Sequence, residues 1–165
     1  MSPATRRLLA RLLLGLMSFG LAAPADAAEV QIRLTPQEIA GVKTGGAGPG
    51  TSGVSGVTTT VLSGDPAKPG PYSVRPHVPA HTTIQAHSHQ DDRAAVVVSG
   101  TWRFGYGPAA DPAALKALPA GSFYTEPAGQ PHFAVTGDDA VEVIITGSGP
   151  TATLYVDPKN APPPH

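Results

Sequence analysis

The chain of 165 residues contains no cysteine. A disulfide framework and a thiolate metal site are therefore excluded, and any transition-metal site must draw on imidazole, carboxylate, amide or water. Charge is also scarce: Asp, Glu, Lys and Arg make up 14% of the residues and the net charge is −1. That leaves no basic field to attract nucleic acid, so nucleic acid is not expected as a partner. Two catalytic signatures are missing as well. The glycine-rich run from Gly41 to Gly56 has neither the lysine placement nor the following helix of a phosphate-binding loop, and no G-x-S-x-G nucleophile elbow occurs. No internal repeat of solenoid type is present. What is abundant is punctuation, with 19 glycines and 19 prolines. Frequent turns leave room only for short strands, which points to one all-β domain.

The first 27 residues read as an address. Arg6, Arg7 and Arg11 form a positive segment, Leu12 to Ala23 is apolar but too short to span a bilayer comfortably, and Ala25-Asp26-Ala27 is a cleavage signal. A secretory leader over residues 1–27 implies a periplasmic or secreted protein with no membrane segment after cleavage. Thr5-Arg6-Arg7-Leu8-Leu9 also resembles a twin-arginine export motif, a route that carries folded proteins. Loss of the three arginines and Asp26 moves the net charge from −1 to −3.

Residues 28–56 are expected to hold an N-terminal strand and a linker. Val30, Ile32 and Leu34 alternate with Gln31 and Arg33, the pattern of a half-buried strand. Thr35-Pro36-Gln37-Glu38 is a capping box with proline at the first helical position, so a helical turn follows. Gly41 to Gly56 reads as a mobile linker loop. Residues 57–157 then carry short strands at 58–62, 72–78, 82–87, 93–98, 101–106, 122–125, 131–136, 141–146 and 151–156. Ser99-Gly100 reads as a tight hairpin, Gly137-Asp138-Asp139 as a turn, and Asp111 to Leu118 as a short inter-strand helix capped by Asp111. Residues 158–165 form a proline-rich tail expected to be disordered. So many short strands in so little chain indicate a closed or double-sheet architecture whose alternate side chains point inward.

Inside that architecture His87-Ser88-His89 is the feature with chemistry. Residues two apart on a strand share a face, so the two imidazoles project side by side, roughly 7 Å apart at the backbone, and can converge on one ion. His132, on another expected strand, is the third candidate ligand. Imidazole suits Fe, Zn, Cu, Ni and, with oxygen ligands, Mn.

Two spaced motifs make this stretch resemble the cupin superfamily. The first family motif, G-x5-H-x-H-x3/4-E-x6-G, is matched by His87, His89, the position of Arg93, and Gly100. The second, G-x5-P-x-G-x2-H-x3-N, is matched by Gly121, Pro127-Ala128-Gly129, His132 and the position of Thr136. The resemblance covers about residues 57–157. It implies an all-β fold, the cupin-like double-stranded β-helix or jelly-roll barrel, here with a short N-terminal helical turn and a short inter-strand helix. It implies a divalent transition metal (Fe, Mn, Zn, Ni or Cu) held by His87, His89 and His132. It also implies a homodimer formed by exchange of terminal strands, for which Val30–Leu34 is the natural segment.

Three positions depart from the pattern. His81 stands for the first glycine, Thr136 for the final asparagine and Arg93 for the glutamate ligand. A guanidinium has no free lone pair and stays protonated, so Arg93 does not ligate. The fourth position then falls to water or to a nearby oxygen. Glu126 is the first choice, by ligation or by pairing with Arg93, ahead of Asp91, Asp92 and Gln85. Arg93, His81, Trp102 and Phe104 are expected pocket residues, and Glu126 and Tyr124, with His81, are the candidates for acid–base work. Three functions follow: a metal-dependent dioxygenase, isomerase, lyase or hydrolase acting on a small organic molecule; a module that binds a metal or small ligand without turnover, with Arg93 as an anion anchor; and a metal-free structural cupin.

Overall fold

Period-two alternation needs a partner strand on each side before it becomes a sheet, and the computed structural model shows which segments find one. It describes residues 31–46 and 48–163. The expected leader and its cleavage signal, Val30 and the last two residues of the tail lie outside them. The strands are β1 (Thr44–Gly45), β2 (Thr58–Ser63), β3 (Gly70–Val78), β4 (Thr83–His89), β5 (Arg93–Ser99), β6 (Thr101–Tyr106), β7 (Lys116–Pro119), β8 (Phe123–Glu126), β9 (His132–Val135), β10 (Val141–Gly149) and β11 (Thr153–Tyr155). They pair antiparallel in two sheets, ordered β1-β2-β3-β10-β5-β8 and β11-β4-β9-β6-β7. From β3 onward every connection except β6–β7 crosses from one sheet to the other. This is the expected jelly-roll barrel. Its interior is filled from both sheets by Tyr72, Val74, Val97, Val141 and Val143 on one side and Ile84, Trp102, Phe104 and Ala134 on the other.

The N-terminal turn forms as its capping box requires. Pro36–Ala40 is helical, Thr35 accepts from the Glu38 amide, and the Glu38 carboxylate accepts from the Thr35 amide at 2.7 Å. Four other expectations are corrected. Residues 31–34 are not a strand: they pair with no strand among the described residues, and Ile32 and Leu34 remain exposed. Ser99-Gly100 does not close a hairpin, because β5 and β6 lie in different sheets. Gly100, at φ +74, is a corner, and a Cβ there would strike the Ala140 carbonyl. The helix expected over Asp111–Leu118 is one 3₁₀ turn at Pro112–Ala114, capped by Asp111; Lys116 onward is strand, because Leu118 pairs with Trp102 across β6–β7 and is buried. The fourth correction concerns the linker and belongs to the site.

Candidate metal centre

Hydrogen-bond register brings the three histidines together. His87 on β4 and His132 on β9 are cross-strand partners, and His89 follows two residues along β4. Strict alternation would not do this alone. Ile84 and His87 are an odd number apart yet both line the same interior chamber, and the ladder shifts register between them. That bulge re-aims the end of β4 so that both histidines of the H-x-H point inward. The ring centroids are 5.0 Å apart for His87–His89, 4.5 Å for His87–His132 and 5.2 Å for His89–His132. All three side chains are buried, and one nitrogen from each lies within 4.8 Å of the other two. Donors ~2.1 Å from one tetrahedral ion stand ~3.4 Å apart, so closing on a metal draws the three nitrogens together by about an ångström.

The tautomers are fixed by the backbone. Nδ1 of His87 meets the Gln85 carbonyl at 2.7 Å, Nδ1 of His89 the Ala152 carbonyl at 3.2 Å, and Nδ1 of His132 the Gln130 carbonyl at 3.3 Å. A carbonyl only accepts, so each Nδ1 carries the hydrogen and each Nε2 keeps its lone pair. Nε2 of His89 and of His132 is buried with no protein partner. Three neutral imidazoles, oriented by carbonyls and with bare Nε2 atoms, form a donor set suited to a divalent transition metal.

Burial also holds these rings neutral. Desolvation, assisted by His132, pushes His87 down to about 4; desolvation pushes His132 down to about 4; and desolvation, then the Arg93 charge, pushes His89 down further. A histidine whose folded pKa lies below its unfolded value near 6.5 contributes stability above that value and loses it as pH falls toward the folded one. The metal-free protein is therefore expected to lose stability between pH 6.5 and pH 4, by on the order of 3 kcal/mol per histidine. Urea midpoints at pH 7.5 and pH 4.5 measure this, and equal midpoints would contradict it.

Glu126 lies at the same place. It is buried, and its Oε2 stands 3.7 Å from Nε2 of His89 and 3.8 Å from Nε2 of His132. Arg93 is its cross-strand partner on β5, also buried, and donates Nε to the same oxygen at 2.6 Å and Nη2 at 2.5 Å. The third guanidinium nitrogen, Nη1, is 3.4 Å from the Gly50 carbonyl. Asp91 is engaged elsewhere, accepting from Tyr72 at 2.8 Å and from Thr151, and Asp92 accepts from the Ala128 amide. Gln85 is not among the residues lining the chamber.

The chamber has about 40 Å³ of free room and is lined by the three histidines, Arg93, Glu126, Trp102, Phe104 and Tyr124 among others. One water needs roughly 10–15 Å³ on this measure, so the space suits about three waters or one small polar group. Sites that enclose a whole drug-sized molecule run to roughly 300–1,000 Å³. His81 is not in the chamber. It sits on the β3–β4 turn with φ +56, a left-handed conformation that glycine adopts without strain, and its exposed ring is 3.7 Å from Asp138. Thr136, the other departure from the motif, ties that turn down through its hydroxyl to the Pro79 carbonyl at 2.7 Å.

The expected linker supplies part of the chamber wall. Gly50, Thr51 and Ser52 line it, and their three successive carbonyls accept from the barrel: Gly50 from Arg93, Thr51 from Thr153 Oγ1 at 2.7 Å, and Ser52 from the Tyr155 hydroxyl at 2.7 Å. Each donor touches the histidine–glutamate cluster. Arg93 pairs with Glu126, Thr153 Oγ1 is 3.3 Å from Nδ1 of His89, and the Tyr155 ring is 5.4 Å from that of His87. Composition alone marks this segment as linker, because its bonds to the barrel are made by residues 43 to 103 positions away. The bonds from Thr153 and Tyr155 contribute about 1 kcal/mol each, so the double variant Thr153→Val/Tyr155→Phe should speed amide exchange over residues 48–53 by roughly 30-fold. Unchanged exchange by mass spectrometry would show the strap is held by other means.

At the level of sequence, no family model and no curated protein matches the chain. Solved structures do match in fold. The polyketide cyclase RemF from Streptomyces resistomycificus aligns with a TM-score of 0.62 at 18% identity, over 78% of this chain and 87% of that one. An RmlC-like cupin from Shewanella frigidimarina aligns with a TM-score of 0.53 at 17% identity, over 73% and 92%. A sugar phosphate isomerase from a cupin superfamily, from Silicibacter pomeroyi, aligns with a TM-score of 0.52 at 13% identity, over 69% and 76%.

Proposed function

Taking the chain as a protein of the cupin fold, we propose that it is an exported metal-dependent protein that binds and transforms a small organic molecule at a mononuclear centre. His87, His89 and His132 hold the divalent ion, and Glu126 supplies the fourth donor. The observation that carries this reading is the tautomer lock: three backbone carbonyls take the three Nδ1 hydrogens and turn three Nε2 lone pairs into one buried chamber. A bound divalent ion supplies Lewis-acid polarisation of a ligand oxygen. The chain's own residues do the rest. Glu126 lies close enough to two of the imidazoles to share their ion or to accept a proton beside it. Tyr124, whose hydroxyl is held protonated by burial and by the nearby Glu126 carboxylate, is a hydrogen-bond donor at neutral pH. Phe104, stacked 5.3 Å from His132, and the strap exclude bulk water.

Metal analysis of protein recovered from its native compartment tests the reading. A stoichiometric divalent transition metal supports it, and protein that takes up none under any loading condition refutes it. Fe or Mn would direct the search to redox chemistry, and Zn or Ni to hydrolytic or lyase chemistry. The expected leader belongs to the same reading, and a mature N-terminus at Ala28 in the periplasm or medium supports it. A second copy of the chain is a further proposed partner, tested by sedimentation.

A second reading, capture of a ligand without turnover, is favoured by the size of the chamber, which admits only a small group. The anion-anchor version of it is disfavoured, because the guanidinium of Arg93 is spent on Glu126 and Gly50. The pairing with a buried carboxylate lessens, without removing, the repulsion that the Arg93 charge exerts on a cation in the chamber.

A further inference from the structure

Two hydrogen-bond donors in the chamber wall have no task in the fold. Trp102 on β6 and Tyr124 on β8 face each other from different sheets, are only 4% and 6% exposed, and line the chamber together with the three histidines. Nε1 of Trp102 and the hydroxyl of Tyr124 are both buried without a protein partner. The indole N–H approaches the tyrosine oxygen, yet outside hydrogen-bonding geometry. Tyr124 is held in place by its ring, 4.4 Å from that of Phe104, which in turn stacks on His132. Leaving such a donor unpaired in a closed interior costs about 1–3 kcal/mol, and two side by side are not what packing alone selects.

We infer that Trp102 and Tyr124 form a two-donor subsite for an oxygen of the bound ligand, and that the ligand presents a carboxylate or comparable oxygen anion to the chamber. The inference rests on the metal centre proposed above. Indole N–H is a donor only, so whatever meets it must accept. An oxygen anion accepts from both donors at once, and its charge answers the cation that the three Nε2 atoms would hold. A sulfur-terminated or nitrogen-terminated anion makes weaker use of the pair. The small free volume limits what enters to the anionic end of the molecule, with any larger body outside the strap. The rest of the chamber wall explains why the class is narrow. Val57, Val78, Ile84, Val143 and Ile145 are apolar, Arg93 and Glu126 are engaged with each other, the Thr51 hydroxyl donates to the Gly48 carbonyl, and the Ser52 hydroxyl accepts from the Val54 amide.

The test uses the full mature chain loaded with Co²⁺, whose visible absorption reports both uptake of the metal and binding of anions to it. Acetate is the oxygen-anion probe and thiocyanate the comparison. Trp102 is the only tryptophan, so its fluorescence reports acetate at the subsite independently. Tyr124→Phe and Trp102→Phe are each expected to weaken acetate roughly 10-fold or more while leaving thiocyanate within about twofold, the range for one hydrogen bond to a charged group. In Tyr124→Phe the Trp102 emission change should need correspondingly more acetate. Should Tyr124→Phe not fold, Trp102→Phe read by the cobalt bands carries the test. If the bands appear but acetate binds both variants as tightly as the wild type, or if acetate and thiocyanate weaken equally, the subsite is refuted and the metal centre stands. If no cobalt bands appear, the metal centre falls and the subsite with it.

Discussion

Arg93→Met should destabilise the metal-free barrel by about 3–5 kcal/mol and, at the same time, tighten its hold on a divalent cation by 10-fold or more. The two effects have one cause. Arg93 and Glu126 are a buried pair in register across β5 and β8, and Nε and Nη2 both address Glu126 Oε2. Removing the guanidinium strands a carboxylate in a low-dielectric interior, where an unpaired charge is costly. That same oxygen stands within 4 Å of two histidine Nε2 atoms. In the wild type a cation competes with the guanidinium for this carboxylate and is repelled by its charge, and in Arg93→Met neither opposition remains. Glu126→Gln should also destabilise the fold, now by stranding Arg93, but it should weaken metal binding. Opposite signs on affinity with the same sign on stability is the signature sought, read by urea midpoints and by competition with a chromophoric chelator. If Arg93→Met weakens the metal instead, Arg93 serves to hold Glu126 in place for the ion and does not compete with it.

The contrast between Arg93 and Glu126 also shows what was legible in the sequence. Arg93 fills a position where the motif spacing calls for a ligand, and its chemistry forbids ligation, so another oxygen has to be sought near Pro127. That search reaches Glu126 from the chemistry of the side chains. That the two face each other is a matter of strand register, and register depends on the whole sheet. The histidines show the same division. Their spacing on a strand predicts a shared face, but only the bulge between Ile84 and His87 makes that face the interior one. Gly100 reads as a hairpin because its local conformation resembles one; which sheet the next strand joins is set by distant partners. Residues 31–34 carry a strand's alternation and find no edge to join within the described residues, since pattern supplies one side of a ladder only. Most hidden of all was the strap. Gly50, Thr51 and Ser52 contribute carbonyls to the site, and a carbonyl leaves no trace in a sequence. His81 marks the opposite case, because a histidine near others in sequence suggests a neighbour in space, whereas its ring is exposed on a turn with a left-handed backbone.

Loss of any one of the three histidines should cost the metal site roughly 10²–10³-fold in affinity. Structural zinc centres bind with about 10–16 kcal/mol, which spread over four donors is about 3–4 kcal/mol for each. In the metal-free protein the three replacements should act alike between pH 6.5 and pH 4, because burial holds all three rings neutral across that window. Each of His87→Ala, His89→Ala and His132→Ala should therefore remove about a third of the acid sensitivity expected there, and the further depression of His89 acts only at lower pH. Replacement of His77 or His81, both substantially exposed, should leave metal content as it is. Metal content after dialysis against a chelator, measured beside urea midpoints at two pH values, separates these cases. A His87→Ala/His132→Ala double variant that retains stoichiometric metal would place the ion elsewhere. A double variant that loses the metal yet keeps the wild-type fold at pH 7.5 would show that the barrel stands without its ion, as expected where the carbonyls of Gln85, Gln130 and Ala152, and not the metal, orient the imidazoles of the wild type.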